Sequence, residues 1–348
     1  MGRNIHLFGI CLVVIVACGS RDQSKGSKMT DEKKFDFLAE DIGTRELYAQ
    51  HRGDSPEVIA TLKAALRTDA RPNVRQNAIV ALSASPDVAK LDDFIVALDD
   101  HDPGVVSEGG FSIAAMLTDV SLADTARTRG LVALRAHAEP LRSAFSSTRE
   151  RVRFNVMTAL EAIVDHDFDI AKALRDEASL IRSEGLALAV SRANVDHKLS
   201  PHDIDTLIEF IRDNKDARLH DDAMDLLVRF APVEAGPLLV SSIANDSVGY
   251  QGLKHLVEMH LTNAVPEILA YIKSHRNQWS REHLETLVAF HATCAALLMA
   301  ELLTGEPDKV RSAWINDALR ALSDQRELSD KQLVGWANRQ VADAAPCR

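Results

Sequence analysis

Aromatic residues make up only 5% of this 348-residue chain. β-branched and aromatic runs with strand-like alternation are scarce beyond the first seventeen residues, so an all-β or sandwich architecture is excluded. Cysteine is equally sparse, with four residues and no C-x-x-C pair, which removes the common zinc and redox motifs. No H-E-x-x-H, G-x-S-x-G, P-loop or G-x-G-x-x-G is present. Positive charge is in deficit: 40 Lys and Arg stand against 51 Asp and Glu, a formal net charge of −11. A general nucleic-acid binder needs a basic footprint to displace counterions, so that class is not supported, nor is docking of the folded body on an anionic membrane surface. The chain is nonetheless 46% hydrophobic, enough to bury a substantial core. Abundant Ala and Leu with few aromatics suit helices packed on helices.

The single long apolar run lies at the start. Arg3 precedes the 13-residue stretch Ile5 to Ala17, too short to span a bilayer and of the right length for the apolar core of a signal peptide. It ends in Ile15-Val16-Ala17-Cys18, which resembles the lipobox of bacterial lipoproteins. The resemblance implies diacylation of Cys18, removal of residues 1–17 and lipid anchoring at Cys18. Each buried methylene of an acyl chain contributes about 0.8 kcal/mol, so two chains hold firmly. A generic secretory signal with a chance cysteine is the alternative. Gly19 rather than Asp follows Cys18, which resembles outer-membrane sorting facing the periplasm; inner membrane and cell surface stay open. Residues 18–34 are polar and aperiodic, a flexible tether with an end-to-end distance of roughly 20 Å. Cys11 would leave with the signal. Cys294 and Cys347 then form an even pair in an oxidising compartment, either bridged, with the C-terminal tail pinned back, or two separate thiols.

Residues 35–348 carry a nine-residue frame eight times. An apolar anchor is followed by a small residue at offset four, then apolar residues at offsets five and eight, all on one helix face. The clearest copy is Val74-Arg75-Gln76-Asn77-Ala78-Ile79-Val80-Ala81-Leu82. The other anchors are Val105, Val152, Ile181, Leu219, Val248, Trp279 and Val310, 29 to 47 residues apart. A period near 30 holds two helices of about 11 to 13 residues with two turns. First helices are expected at Pro56 to Leu66, Asp87 to Leu98, Leu131 to Phe145, His202 to Arg212 and Ala264 to Ser274. The 47-residue interval leaves Thr118 to Gly130 as a long loop or extra turn. Asp102-Pro103 and Ser200-Pro201 read as an N-cap followed by proline at the first helical position.

The segment Asp69-Ala70-Arg71-Pro72-Asn73-Val74-Arg75-Gln76-Asn77-Ala78-Ile79-Val80-Ala81-Leu82 resembles the short bacterial HEAT repeat, also called PBS-lyase-like. Glu306-Pro307-Asp308-Lys309-Val310-Arg311 is similar to it. The resemblance spans about residues 55 to 325. It implies an all-α superhelix, an α-solenoid of about eight two-helix repeats, with capping helices at 35–51 and 329–344 to hide the end faces. It implies no particular activity.

Two columns stand out when the copies are aligned. Offset one is arginine at Arg75, Arg153, Arg182 and Arg311, read either as a ladder for anions or as partners of acidic turn residues in neighbouring repeats. Offset three holds Glu108, Glu184, Asp222 and Glu282 and no cation in any copy, read either as a solvated face or as a groove for a basic protein. Asp100-His101-Asp102 and Asp165-His166-Asp167 could suggest a metal, but Asp at a turn more often caps a helix. His255, His260, His275, His283 and His291 lack metal-ligand spacing. No catalytic set, cofactor, metal or small-molecule substrate is expected. The expected function is a non-enzymatic, membrane-tethered protein-binding scaffold of the bacterial envelope. An immunity or inhibitor lipoprotein is the alternative, and an enzyme of the PBS-lyase-like kind is a remote third.

Overall fold

The computed structural model describes residues 56–83, 90–213, 216–244, 250–276, 278–306, 308–325 and 327–343. The expected signal segment 1–17, the tether 18–34 with Cys18, the first capping helix at 35–51, the anchor Val248 and Cys347 lie outside them. Eighteen α-helices and two short 3-10 turns, with no strand, make up the regular structure of the described residues.

Eight helices carry the repeated frame: α2 (Pro72–Ser83), α4 (Pro103–Leu117), α7 (Glu150–Ala162), α9 (Ser179–Asp196), α11 (Ala217–Phe230), α13 (Tyr250–Glu258), α15 (Arg281–Ala289) and α17 (Lys309–Ser323). The others are α1 (Pro56–Thr68), α3 (Leu91–Leu98), α5 (Asp124–Ala136), α6 (Ala138–Ala144), α8 (Ile170–Leu174), α10 (Pro201–Asp213), α12 (Pro232–Ala244), α14 (Val265–Ser274), α16 (Ala296–Gly305) and α18 (Asp330–Asp343). Helices pack mainly with their sequence neighbours, and each frame helix also packs on the next frame helix, from α2 through α17. This is a repeat-like array around one continuous apolar core running from Leu62 to Ala337.

The frame describes the core well. The offset-five and offset-eight residues Ile79, Leu82, Met157, Leu160, Leu253, Leu256, Leu284 and Leu287 are all buried. The small slot has a direct cause. A Cβ on Gly109 would lie 2.8 Å from Ala97 Cβ and 3.0 Å from Phe94 O, and one on Gly185 would lie 2.9 Å from Ala173 Cβ. The preceding helix crosses at that point, and only a small residue lets the two axes close up. One anchor departs from the frame: Val310 is 58% exposed, because it sits in the first turn of α17, where Asp308 caps the Val310 and Arg311 N–H groups.

The caps at the two proline sites form as expected. Asp102 Oδ1 accepts from Gly104 N (2.8 Å) and Val105 N (3.2 Å) ahead of α4, and Ser200 Oγ accepts from Asp203 N (3.0 Å) ahead of α10. The interval Thr118 to Gly130 is corrected. Its second half belongs to α5, whose buried face is Ala126, Gly130, Ala133 and Leu134. These small residues gave too weak an apolar signal for a helix to be read there. Arg127 pins the start of α5 by donating to Leu117 O and to Asp119 O. The expected helix Leu131 to Phe145 is in fact divided at His137 into α5 and α6. Pro140 has no N–H to offer Ala136 O, so the α5 ladder cannot run through it.

Three frame helices end in a shared turn that the nine-residue frame did not include. Val164 (φ 52°), His260 (φ 53°) and His291 (φ 51°) are left-handed, each twelve positions after its anchor. The next N–H then bonds back to the offset-eight carbonyl: Asp165 N to Leu160 O (3.0 Å), Leu261 N to Leu256 O (2.9 Å) and Ala292 N to Leu287 O (2.9 Å). This is the Schellman closure, usually made with glycine. The repeat unit is therefore longer than its apolar pattern.

Candidate partner-binding face

The offset-three side chains of α4 and α7 are in direct contact. Asn155 Nδ2 donates to Glu108 Oε2 (3.1 Å), which also accepts from Gln76 Nε2 (3.3 Å). Arg151 Nη2 reaches both carboxylate oxygens of Glu108, at 2.8 and 3.0 Å. Glu108 is only 2% exposed. It knots α2, α4 and α7 together and does not face solvent. A buried carboxylate with three donors is satisfied, whereas the same group with a donor removed would be costly.

Of the remaining three acids of the column, Asp222 is exposed and Glu184 and Glu282 are half-buried. Glu184, on α9, is half-buried, and burial followed by the nearby charge of Glu161 pushes its carboxyl up to about 7. Burial also raises Glu161, opposed by the hydrogen bond from Ser191 Oγ (3.2 Å). Asp222, on α11, is exposed; partial burial raises its carboxyl, Arg218 one turn earlier (3.9 Å) opposes this, and Asp225, Asp221 and Asp216 add to it. Glu282 lies in the first turn of α15, where the Ser280 hydroxyl and its own backbone N–H hold its carboxyl low. None of these three carboxylates is paired with a cation from another helix among the described residues.

The arginine column resolves into turn staples. Arg75 donates from Nε to Asp100 Oδ2 (2.6 Å), from Nη2 to Asp100 Oδ1 (2.8 Å), and from Nη1 to Asp69 O (2.9 Å). Arg153 repeats the arrangement with Asp176 (2.6 and 3.0 Å) and the carbonyls of Ser147 and Thr148 (3.0 and 3.1 Å). Arg182 holds the Asp176 and Glu177 carbonyls (both 2.9 Å) and stands 4.0 Å from Asp216. Each of these arginines thus binds the turn before its own helix and reaches the turn before the next frame helix. The carboxylate hydrogen bonds raise the pKa of Arg75 and of Arg153. Burial opposes the charge on Asp100, but the Arg75 and Asp102 N–H bonds outweigh it and hold that carboxyl low. Arg311 lies over the Trp279 ring, 4.0 Å from its centroid, and donates to Arg276 O (2.7 Å). The guanidinium groups are occupied by the protein's own turns.

The two Asp-His-Asp triplets are used in the same way. Asp100 takes Arg75, Asp102 caps α4, and Asp165 takes Arg142 Nη1 at 2.8 and 3.0 Å. Of the histidines, His255 bonds to Asp225 (2.5 Å) and Glu258 (3.1 Å). His275 and His283 stack on Tyr271, at 4.5 and 4.9 Å between centroids. Among the described residues no group of three or more His, Cys, Asp or Glu is placed to hold a metal ion. Cys294 is in a disulfide, and the chain's other three cysteines lie outside the described residues. No helix of the described residues is long and apolar enough to cross a membrane.

The Glu108 knot and the left-handed turn residues were not legible beforehand. A carboxylate looks the same in sequence whether it is buried or solvated, and the signal for the turn was only the recurrence of position twelve. Searches against family models and among curated proteins return no match for this chain.

Proposed function

We propose that the chain is a membrane-tethered, non-enzymatic scaffold of the bacterial envelope, an α-solenoid of short HEAT-type repeats anchored through Cys18. It binds a basic protein along the concave, second-helix face. The observation that carries this reading is the contrast within one column. Glu108 is sealed by Arg151, Asn155 and Gln76, while Glu184, Asp222 and Glu282 keep carboxylates with no cation from a neighbouring helix. Stacked frame helices put equal offsets side by side, so Asp222 and Glu282, joined by Glu184 as it deprotonates above about 7, form a stretch of negative potential on a chain whose net charge is already −11. The paired Arg75–Asp100 and Arg153–Asp176 staples support a regular array, because the same bond recurs between units.

The test is crosslinking in intact envelopes followed by mass spectrometry, on wild type and on stepwise Glu184→Gln, Asp222→Asn and Glu282→Gln variants. One basic protein should be crosslinked, progressively less with each neutralisation and less at high salt. Unchanged, salt-insensitive crosslinking refutes the acidic face. Radiolabelled palmitate tests the anchor separately: label should enter the wild type and not Cys18→Ser.

A further inference from the structure

We propose that the strip between α12 and α14, on the opposite set of helices from the acidic column, is a docking groove for a peptide segment of a partner protein that presents an apolar side chain next to a lysine or arginine. The groove has a volume of about 660 Å³. Its walls are Pro232, Val233, Pro237 and Val240 of α12, with Leu261 and Glu267 across from them. Val233 is 80% exposed on this strip, and α12 has no charged residue from Ala235 to Ala244.

The groove exists because α12 breaks local helix rules twice in succession. Gly236 and Pro237 are the two least helix-favouring residue types, placed side by side inside the helix. No neighbouring helix demands the glycine, since a Cβ there would meet Leu261 and Met259 at 3.6 to 3.9 Å, ordinary contact. Its local role is to spare Pro237 Cδ the clash that a Cβ on the preceding helical residue would make. The missing Cβ also deepens the floor. Pro237 removes the N–H that would pair with Val233 O, which leaves a backbone acceptor beside the exposed Val233. A Gly-Pro pair inside a helix opposes local propensity, and such choices are expected where a site is built.

Charge selects the occupant. Glu267 is the one charged residue lining the groove, and Glu234, in the first turn of α12, is next in the chain to the lining residue Val233. Both are exposed, and neither has an ion-pair or hydrogen-bond partner among the described residues. Two unpaired carboxylates beside an apolar floor suit a cation flanking an apolar anchor. A neutral acyl chain leaves them unused, an anionic lipid is repelled, and a second copy of a chain of charge −11 approaches against its own field.

The test is selection of a displayed random heptapeptide library on the purified full chain, with wild type, Gly236→Leu, and the surface variant Glu234→Lys with Glu267→Lys compared in parallel. Enriched peptides should pair an apolar residue with an adjacent Lys or Arg. They should bind at least tenfold more weakly to Gly236→Leu and to the double charge reversal, and equally well to Asp222→Asn and Glu282→Gln, which separates this groove from the acidic face. The charge reversals lie on the surface and keep the test valid should Gly236→Leu misfold. The proposal is overturned if enriched peptides ignore both variants or lack a basic residue. It is also overturned if the groove variants instead abolish binding to phosphatidylcholine or phosphatidylglycerol vesicles, or a concentration-dependent doubling of mass in sedimentation.

Discussion

The same substitution, glycine to alanine, should have opposite effects at two positions of this array. In both Gly109 of α4 and Gly335 of α18, alanine gains about 1 kcal/mol of helix propensity. At Gly335 the new methyl meets the end of a flexible side chain, Arg339 Nη1, at 3.8 Å, so the gain is kept and Gly335→Ala should stabilise by about 0.5 to 1 kcal/mol. At Gly109 the methyl would sit 2.8 Å from Ala97 Cβ and 3.0 Å from the Phe94 carbonyl oxygen. Those partners are a neighbouring Cβ and backbone, which no rotamer change can move, so α3 must back away. Overpacking of this kind costs typically 1 to 3 kcal/mol, which offsets the propensity gain and leaves Gly109→Ala net destabilising by up to about 2 kcal/mol. Native-state hydrogen exchange on the full chain is the appropriate assay, since an array need not unfold in one step. Protection should fall around α3 and α4 in Gly109→Ala and rise in α18 in Gly335→Ala. Stabilisation at Gly109 would refute the account of the small slot as a helix-crossing contact.

Val164→Gly should stabilise by about 1 kcal/mol, since a β-branched residue is held at φ 52° where glycine is free of strain; a drop in thermal midpoint would refute the Schellman assignment. Asp176→Ala should cost about 3 to 5 kcal/mol by leaving buried Arg153 without its carboxylate, and the effect should be far from additive with Arg153→Met in a double-mutant cycle. Glu184 binds its proton more tightly in the folded chain, from 4.5 up to about 7. Its contribution is therefore fully favourable below pH 4.5 and is lost as pH rises through about 7. Glu184→Gln should flatten that part of the stability–pH curve and be more stable than wild type at pH 8; a curve unchanged between pH 5 and 8 would refute it.

The all-helical class and the eight frame helices were legible because burial writes itself into spacing. Ile79 and Leu82 recur as Leu284 and Leu287 at the same offsets, and all four are buried. The helix α5 was not legible, because its buried face is built from Ala126, Gly130 and Ala133, whose apolarity is too weak to mark a period. The division at His137 followed from Pro140 and could have been read from it. Among the candidate site residues, offset three put two side chains of successive frame helices in direct contact, Glu108 and Asn155. Sequence could not say which of its acids would be covered, because that depends on Arg151, a residue from another repeat placed 43 positions away.

The staples also distribute stiffness. Joints in a linear array act as springs in series, so the softest one sets how far the whole can bend. Between α2 and α9 the joints carry two bidentate arginine clasps and the Glu108 knot. Beyond α9 no bidentate arginine–carboxylate clasp joins frame helices among the described residues; the contacts are Arg182 to Asp216 at 4.0 Å, His255 to Asp225, and Arg311 over the Trp279 ring and on Arg276 O. Bending should therefore concentrate in the second half. The groove on α12, Asp222 and Glu282 all lie on that compliant half, where a bound partner could shift one helix against the next at small elastic cost.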